Sequence, residues 1–231
     1  MSGIVYIISA PSGSGKSTLV NEVMKAVPDL EFSISYTTRL PRGSERNGRE
    51  YFFVPRQKFE SMIQEGEFLE YANVFGDYYG TARSFLEDAK KRGKDLVLDI
   101  DVQGAAQVKQ TLPEAVSTFI LPPSREELEK RLRRRSQAEG NVEEAVIRKR
   151  LAAAAREIEN YCKYDYVLVN NQLEQSVDQL KAIILSERIK RSGREISAGD
   201  RAKMDAAEQC LLHNVSKSVH DILASFVPAI Q

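Results

Sequence analysis

The sharpest chemical pattern in the sequence is the run Ala10-Pro11-Ser12-Gly13-Ser14-Gly15-Lys16-Ser17-Thr18. Gly13 and Gly15 free the backbone to bend, so that successive N–H groups converge on one anion. A helix starting at Lys16 adds the positive end of its dipole at the same point. The Lys16 ammonium can reach the β- and γ-phosphates of a nucleoside triphosphate, and the Ser17 hydroxyl can ligate Mg²⁺. Ala10 stands where this pattern usually opens with glycine. An ordinary glycine turn is the simpler reading, but Gly-Lys-Ser-Thr between an apolar run and a helical one fits a phosphate cradle better. Such a loop serves ATPases, GTPases and kinases alike.

A second group lies at the end of the apolar run Leu96-Val97-Leu98, where Asp99 and Asp101 follow. Ligands of α/β sheets bind at the carboxyl ends of central strands. A carboxylate at Asp99 can hold Mg²⁺ through water. Asp101 can do the same or cap a helix starting at Val102.

These residues require a rigid scaffold, and the sequence predicts one. Ile4-Val5-Tyr6-Ile7-Ile8 is apolar throughout, as in a strand buried on both faces of a parallel sheet. Lys16 to Val27 reads as a helix with Leu19, Val20, Val23 and Met24 on one face. Further buried strands are expected at 96–100, 117–121 and 166–169, with helices at 85–92, 103–111, 124–135, 142–161 and 173–190. This alternation predicts an α/β core, a parallel sheet flanked by helices. Residues 32–83 break it, with Tyr51-Phe52-Phe53-Val54 and Phe68-Leu69-Glu70-Tyr71 expected as antiparallel strands of an inserted α+β lobe. Residues 125–150 are dense in Arg and Glu and poor in apolar positions, which suggests a mobile, solvated helical lid. The expected division is a core (1–33, 93–124, 151–200), a lobe (34–92), a lid (125–150) and a tail (201–231).

Bulk composition narrows the partners. The 231 residues carry 33 basic and 33 acidic side chains, which argues against a nucleic-acid or anionic-membrane surface. No apolar run reaches the ~20 residues that cross a bilayer, and the start lacks the pattern of a signal peptide. Two cysteines, Cys162 and Cys210, give no disulfide framework, and a cytoplasmic location is expected. With only His213 and His220 beside them, a zinc site is not expected. Toward the end, Met204, Leu211, Val215, Val219, Ile222 and Phe226 follow helical spacing. One amphipathic helix is expected, either packed on its own core or forming a homo-oligomer.

The motifs Ser35-Tyr36-Thr37-Thr38-Arg39-Leu40-Pro41-Arg42, Gly48-Arg49-Glu50-Tyr51-Phe52-Phe53, Phe68-Leu69-Glu70, Gly76-Asp77-Tyr78-Tyr79-Gly80-Thr81 and Asp99-Ile100-Asp101-Val102-Gln103-Gly104 follow the phosphate loop in order. Together they resemble the guanylate kinase family from about residue 4 to about residue 190. The resemblance implies transfer of the ATP γ-phosphoryl group to GMP, with Mg²⁺. It assigns Arg39, Arg42, Tyr51 and Tyr79 to the GMP phosphate. It assigns Ser35, Glu70, Thr81 and Asp101 to guanine, where carboxylates accept from N1–H and the 2-amino group and hydroxyls donate to O6. Adenine would leave buried carboxylates unpaired, at about 1–3 kcal/mol per group.

The family's Arg-Leu-x-x-Arg lid element corresponds to Arg131-Leu132-Arg133-Arg134-Arg135, followed by Ser136 where the family often has glycine. With Lys16, Arg39 and Arg150, Arg131 and Arg135 would neutralise the transferring phosphoryl group. Asn170, before Asn171 in place of the usual aspartate, would touch adenine. The resemblance thus implies an ATP site of Ala10 to Thr18 with Asn170, and closure of lobe and lid over the core. A peptide-binding module on the same fold would not require Lys16, Ser17 and these arginines. Another small-molecule kinase would not require Glu70 with Asp101. A GTP-hydrolysing switch would carry an Asn-Lys-x-Asp motif.

Overall fold

The structure, a computed structural model, describes residues 3–74, 76–138, 143–214 and 217–226. The chain divides into two compact units, one of residues up to Ile7 with Asp29–Ala115, the other of Ile8–Pro28 with the residues from Val116 onward. Nine strands and nine α-helices are found among the described residues. In chain order the strands are β1 (Val5–Ser9), β2 (Leu30–Phe32), β3 (Tyr36–Thr37), β4 (Phe52–Phe53), β5 (Phe68–Val74), β6 (Asp77–Ala82), β7 (Asp95–Asp99), β8 (Val116–Leu121) and β9 (Tyr166–Val169). The helices are α1 (Lys16–Ala26), α2 (Arg56–Gln64), α3 (Arg83–Arg92), α4 (Val102–Thr111), α5 (Arg125–Ala138), α6 (Glu144–Ile158), α7 (Leu173–Ser192), α8 (Ala198–Glu208) and α9 (Lys217–Phe226).

One sheet has five strands in the order β2-β7-β1-β8-β9, and its described pairings, β2 with β7 and β8 with β9, are parallel. β1 and β8 are buried along their whole length, as continuous apolar runs require. No helix among the described residues is long and apolar enough to cross a membrane.

In the first unit, a separate four-stranded sheet runs β4-β3-β6-β5. It has its own core, where Phe59 and Met62 of α2 pack on Phe68 of β5, with Tyr36, Val54 and Tyr78 around them. Here the structure corrects the sequence reading. β4 lies parallel to β3, not antiparallel to a neighbour. The cause is local: Phe52 N–H donates to Ser35 O on one side, while Asn47 Oδ1 accepts from Phe53 N–H on the other. A long loop, not a hairpin, therefore returns the chain to β3.

In the second unit, the lid region is less solvated than its charge suggests. Leu128 and Leu132 of α5 and Ile147 of α6 are fully buried, so the pair carries an apolar seam. The tail is also corrected, because it is not one helix. α8 starts at a Ser197/Asp200 capping box and stops at Glu208. Cys210 O then accepts from Val167 N–H, Leu212 N–H donates to Asp165 O, and Leu211 bridges to Tyr166. The chain leaves helical geometry to cover the outer edge of β9, which would otherwise expose unpaired backbone groups. α9 then buries Val219, Ile222 and Phe226, while Val215 lies outside the described residues.

Candidate active site

In the first unit, β5 and β6 run antiparallel and set Glu70 opposite Thr81, just past a register shift after Phe68. Thr81 Oγ1 donates to Glu70 Oε1 at 2.6 Å. Both side chains are buried, Glu70 at 4% and Thr81 at 0% exposure. The carboxylate lies against the first turn of α4, where a Cβ on Gly104 would collide with it. Glycine at 104 is thus a clearance for Glu70. Asp101 caps α4, its Oδ1 accepting from Gln103 N–H at 2.9 Å and Gly104 N–H at 2.8 Å. Of the two roles open to Asp101, the structure shows the cap, which fixes its carboxylate on the same turn as Gly104. Ser35 is buried one residue before Tyr36, which pairs with Gly80 beside Thr81. Strand register and one helix cap therefore bring two carboxylates and two hydroxyls onto neighbouring elements. That set can accept from adjacent N–H groups and donate to a carbonyl oxygen.

The same unit holds a positive group of opposite design. Arg39, at 8% exposure, makes a two-pronged pair with Glu45, with Nη1 to Oε2 at 2.7 Å and Nη2 to Oε1 at 2.8 Å. Its guanidinium also sits 5.0 Å from the Tyr51 ring centre and 5.6 Å from that of Phe53. Tyr51 meets Tyr79 edge-on at 5.7 Å. Burial lowers the Arg39 pKa, but the Glu45 bond and the Tyr79 interaction outweigh it, and the net shift is upward. Burial also raises Glu45, yet the Arg39 and Arg42 bonds leave it below the usual carboxylate range. The Tyr51 hydroxyl is pushed up to about 12 by burial, then by Asp99 and Tyr79, so it remains a donor across neutral pH. Arg42 is exposed, and its backbone N–H donates to Glu45 Oε2 at 2.8 Å. Arg39, Tyr51 and Tyr79 thus form one cluster with Arg42 on its outer loop. Glu45 and Phe53, which complete it, were missed in the sequence.

In the second unit, the phosphate loop adopts the backbone its glycines permit. Gly13 has φ 93° and Gly15 φ 85°, both in the left-handed region that favours glycine. Ser14 N–H closes a turn on Pro11 O at 3.1 Å, and Leu19 N–H bonds Gly15 O to start α1. α1 has no side-chain cap and no acidic residue in its first turn, so its positive end is not neutralised there. Ser12, Ser17 and Thr18 are exposed, Ala10 and Lys16 half-buried, and Pro11 buried. Leu128 and Leu132 of α5 lie against Gly13.

Arg131 Nη1 donates to Ser14 O at 3.3 Å and its Nη2 to Asn170 O at 3.2 Å, while Nε pairs with Glu127 at 2.9 Å. Asn170 Nδ2 donates to Ser14 O at 2.7 Å. Arg150 reaches Ser136 Oγ at 3.4 Å, and Arg135 is exposed. Ser17 belongs to this unit and half-buried Asp99 to the other. Among the described residues, no group of three or more His, Cys, Asp or Glu could hold a metal ion.

The chain is similar to known proteins. A guanylate kinase family model matches residues 2–187. A guanylate kinase of Koribacter versatilis (strain Ellin345) is 60% identical over 229 residues, covering 99% of this chain and 98% of that protein. The guanylate kinase of Escherichia coli (strain K12) is 48% identical over 192 residues, covering 82% and 91%. A crystal structure of guanylate kinase from Anaplasma phagocytophilum superposes with a TM-score of 0.66 at 32% identity, covering 93% of this chain and 97% of that one. With a buried carboxylate–hydroxyl pair in one unit and a phosphate loop in the other, the chain belongs to the guanylate kinase family.

Proposed function

We infer that this protein transfers the γ-phosphoryl group of ATP to GMP, yielding ADP and GDP. The observation that carries this reading is the buried Glu70 carboxylate, bonded to Thr81 and seated against Gly104. A carboxylate in that position favours a base edge with adjacent N–H donors, as in guanine, over one presenting acceptors.

Ser35 then donates to O6, Thr81 spends its one hydroxyl proton holding the Glu70 carboxylate in place, and Glu70 with Asp101 serves N1–H and the 2-amino group. Arg39, Arg42, Tyr51 and Tyr79 hold the GMP phosphate. Binding shifts Arg39 from a neutralised pair toward a dianion, so Glu45 keeps the guanidinium placed until GMP arrives. The nucleophile is a phosphate oxygen of GMP. Its second pKa lies near ~6, so it is mostly dianionic at neutral pH and no general base is required. What remains is in-line alignment and screening of charge. Ala10 to Thr18 hold ATP, with Lys16, Arg131, Arg135 and Arg150 opposing the negative charge of the phosphoryl group.

Mg²⁺ fits the phosphate loop's own chemistry: the exposed Ser17 hydroxyl suits an ion that keeps phosphate oxygens and water as its main ligands. The ion, once bound, supplies charge neutralisation at the phosphates. Both cysteines are free thiols, which fits the cytoplasmic location we assign. The buried face of α9, whose Ser225 Oγ accepts from Arg125 N–H of α5, supports packing on the protein's own core over a homo-oligomer. A single monomeric boundary in sedimentation is expected, and a concentration-dependent dimer would reverse that assignment.

The test is ADP release from Mg·ATP with GMP, AMP, CMP, UMP or dTMP as acceptor. Turnover with GMP far above that with any other acceptor is expected. No turnover with any acceptor, in protein shown to be folded, would favour a peptide-binding role for the same fold.

A further inference from the structure

We propose that Asn170 acts as a positioning residue for the phosphate loop, its side chain orienting the Ser14–Gly15 peptide instead of reading the nucleotide base. The inference deepens the ATP-site assignment above and rests on it. Asn170 follows β9 directly and is buried, and its Nδ2 donates to Ser14 O at 2.7 Å. The chemistry forces this orientation of the amide, since Oδ1 against a carbonyl would oppose two acceptors. Arg131 Nη1 donates to the same carbonyl, and Arg131 Nη2 holds the backbone carbonyl of Asn170 itself. Two donors from separate elements, β9's end and α5, thus converge on one oxygen of the loop.

No cis peptide bond is present among the described residues, so in the Ser14–Gly15 unit C=O and N–H point in opposite directions. Drawing the carbonyl toward Asn170 and Arg131 turns the Gly15 N–H to the other side, as a cradle built from loop N–H groups requires. Ser14 Oγ is buried and makes no hydrogen bond, so the residue's own hydroxyl does not set this orientation. Gly15 adds a steric reason. A Cβ there would stand 2.5 Å from Asn170 Nδ2, so the glycine admits the amide as well as the positive φ.

The two roles separate with a ligand that has phosphates and no base. Inorganic tripolyphosphate binding would be measured by calorimetry for the full-length protein and for Asn170→Asp, an isosteric change that loses the donor. Asn170→Ala serves as the second variant, and GMP affinity is read on every sample. If Asn170 orients the peptide, both variants weaken tripolyphosphate about tenfold, the scale of one buried hydrogen bond left unmade. GMP affinity then stays within about twofold. Unchanged tripolyphosphate affinity, with an altered preference between ATP and GTP, would overturn the proposal in favour of a base contact. Equal loss of GMP binding would overturn it in favour of a general folding role. Lys16→Ala marks the site itself: if it leaves tripolyphosphate bound, the ATP-site assignment falls. If it abolishes binding while Asn170→Asp does not, only the orienting role falls.

Discussion

The candidate site of the first unit presents buried side chains, Glu70 bonded to Thr81 and Arg39 paired with Glu45, each partner from the same unit. The phosphate loop of the second unit presents backbone, with Gly13 and Gly15 in left-handed geometry and Ser12, Ser17 and Thr18 exposed. The difference follows from what each must recognise. A triphosphate is a bundle of identical oxygens, which repeated N–H groups and one ammonium satisfy without discrimination. A nucleobase carries a pattern of donors and acceptors that only desolvated, fixed side chains can read, because unmatched groups are costly only when buried. On the function proposed above, specificity is assigned to the first unit and triphosphate affinity to the second.

Four substitutions would break or sharpen this contrast. Lys16→Ala should have the largest effect, lowering kcat about 10²–10³-fold with every acceptor, as loss of a positioned transition-state charge does. Steady-state kinetics should show GMP affinity nearly unchanged. Glu70→Ala should lower kcat/KM for GMP by about 10²-fold, with little change in KM for ATP. A comparable rise in both KM values would blur the division between the units.

Glu45→Ala should act first on stability. Removing one member of a largely buried ion pair leaves Arg39 uncompensated, at about 2–3 kcal/mol in urea unfolding. Its sign with pH is fixed. Glu45 is held below its ordinary value, so its contribution is complete above about 4.3, the unfolded value, and fades as pH falls through the folded one. Acid unfolding curves of Glu45→Ala and the unaltered protein should therefore converge at low pH.

Tyr51→Phe should have the smallest effect, raising KM for GMP about three- to tenfold through one lost neutral donor, with kcat little changed. Its pH signature runs the opposite way. The Tyr51 pKa is raised from about 10 to about 12, so folding stability conferred by the neutral hydroxyl is present below about 10 and lost as pH rises through about 12. Alkaline unfolding curves should lose part of that slope in Tyr51→Phe.

What could be read in advance divides along the same line. The phosphate loop was legible because its geometry demands glycine at two positions beside a lysine, whatever the rest of the chain does. Buried strands such as β1 and β8 were legible because burial on both faces leaves a continuous apolar run. Glu70 and Thr81 were legible only through the resemblance, since an acid eleven residues before a threonine implies no contact until β5 and β6 set the register. Glu45 was not legible at all. The loop also holds Glu50, which bonds Arg46 and Arg49, and nothing local says which acid turns inward. The direction of β4 was hidden because two residues, Phe52 and Phe53, carry no pairing preference of their own. The break in the tail was hidden because helical spacing runs on through Leu211, while the backbone of β9 decides the conformation there.

The division between the units is tested most directly by the ratio of kcat/KM for GMP to that for AMP, compared between the unaltered protein and Glu70→Gln. Gln keeps the size of Glu70 but replaces one acceptor with a donor. The account predicts that this ratio falls at least about tenfold while KM for ATP stays within about twofold. A ratio that survives the substitution would contradict it, and would place base recognition away from the Glu70–Thr81 pair.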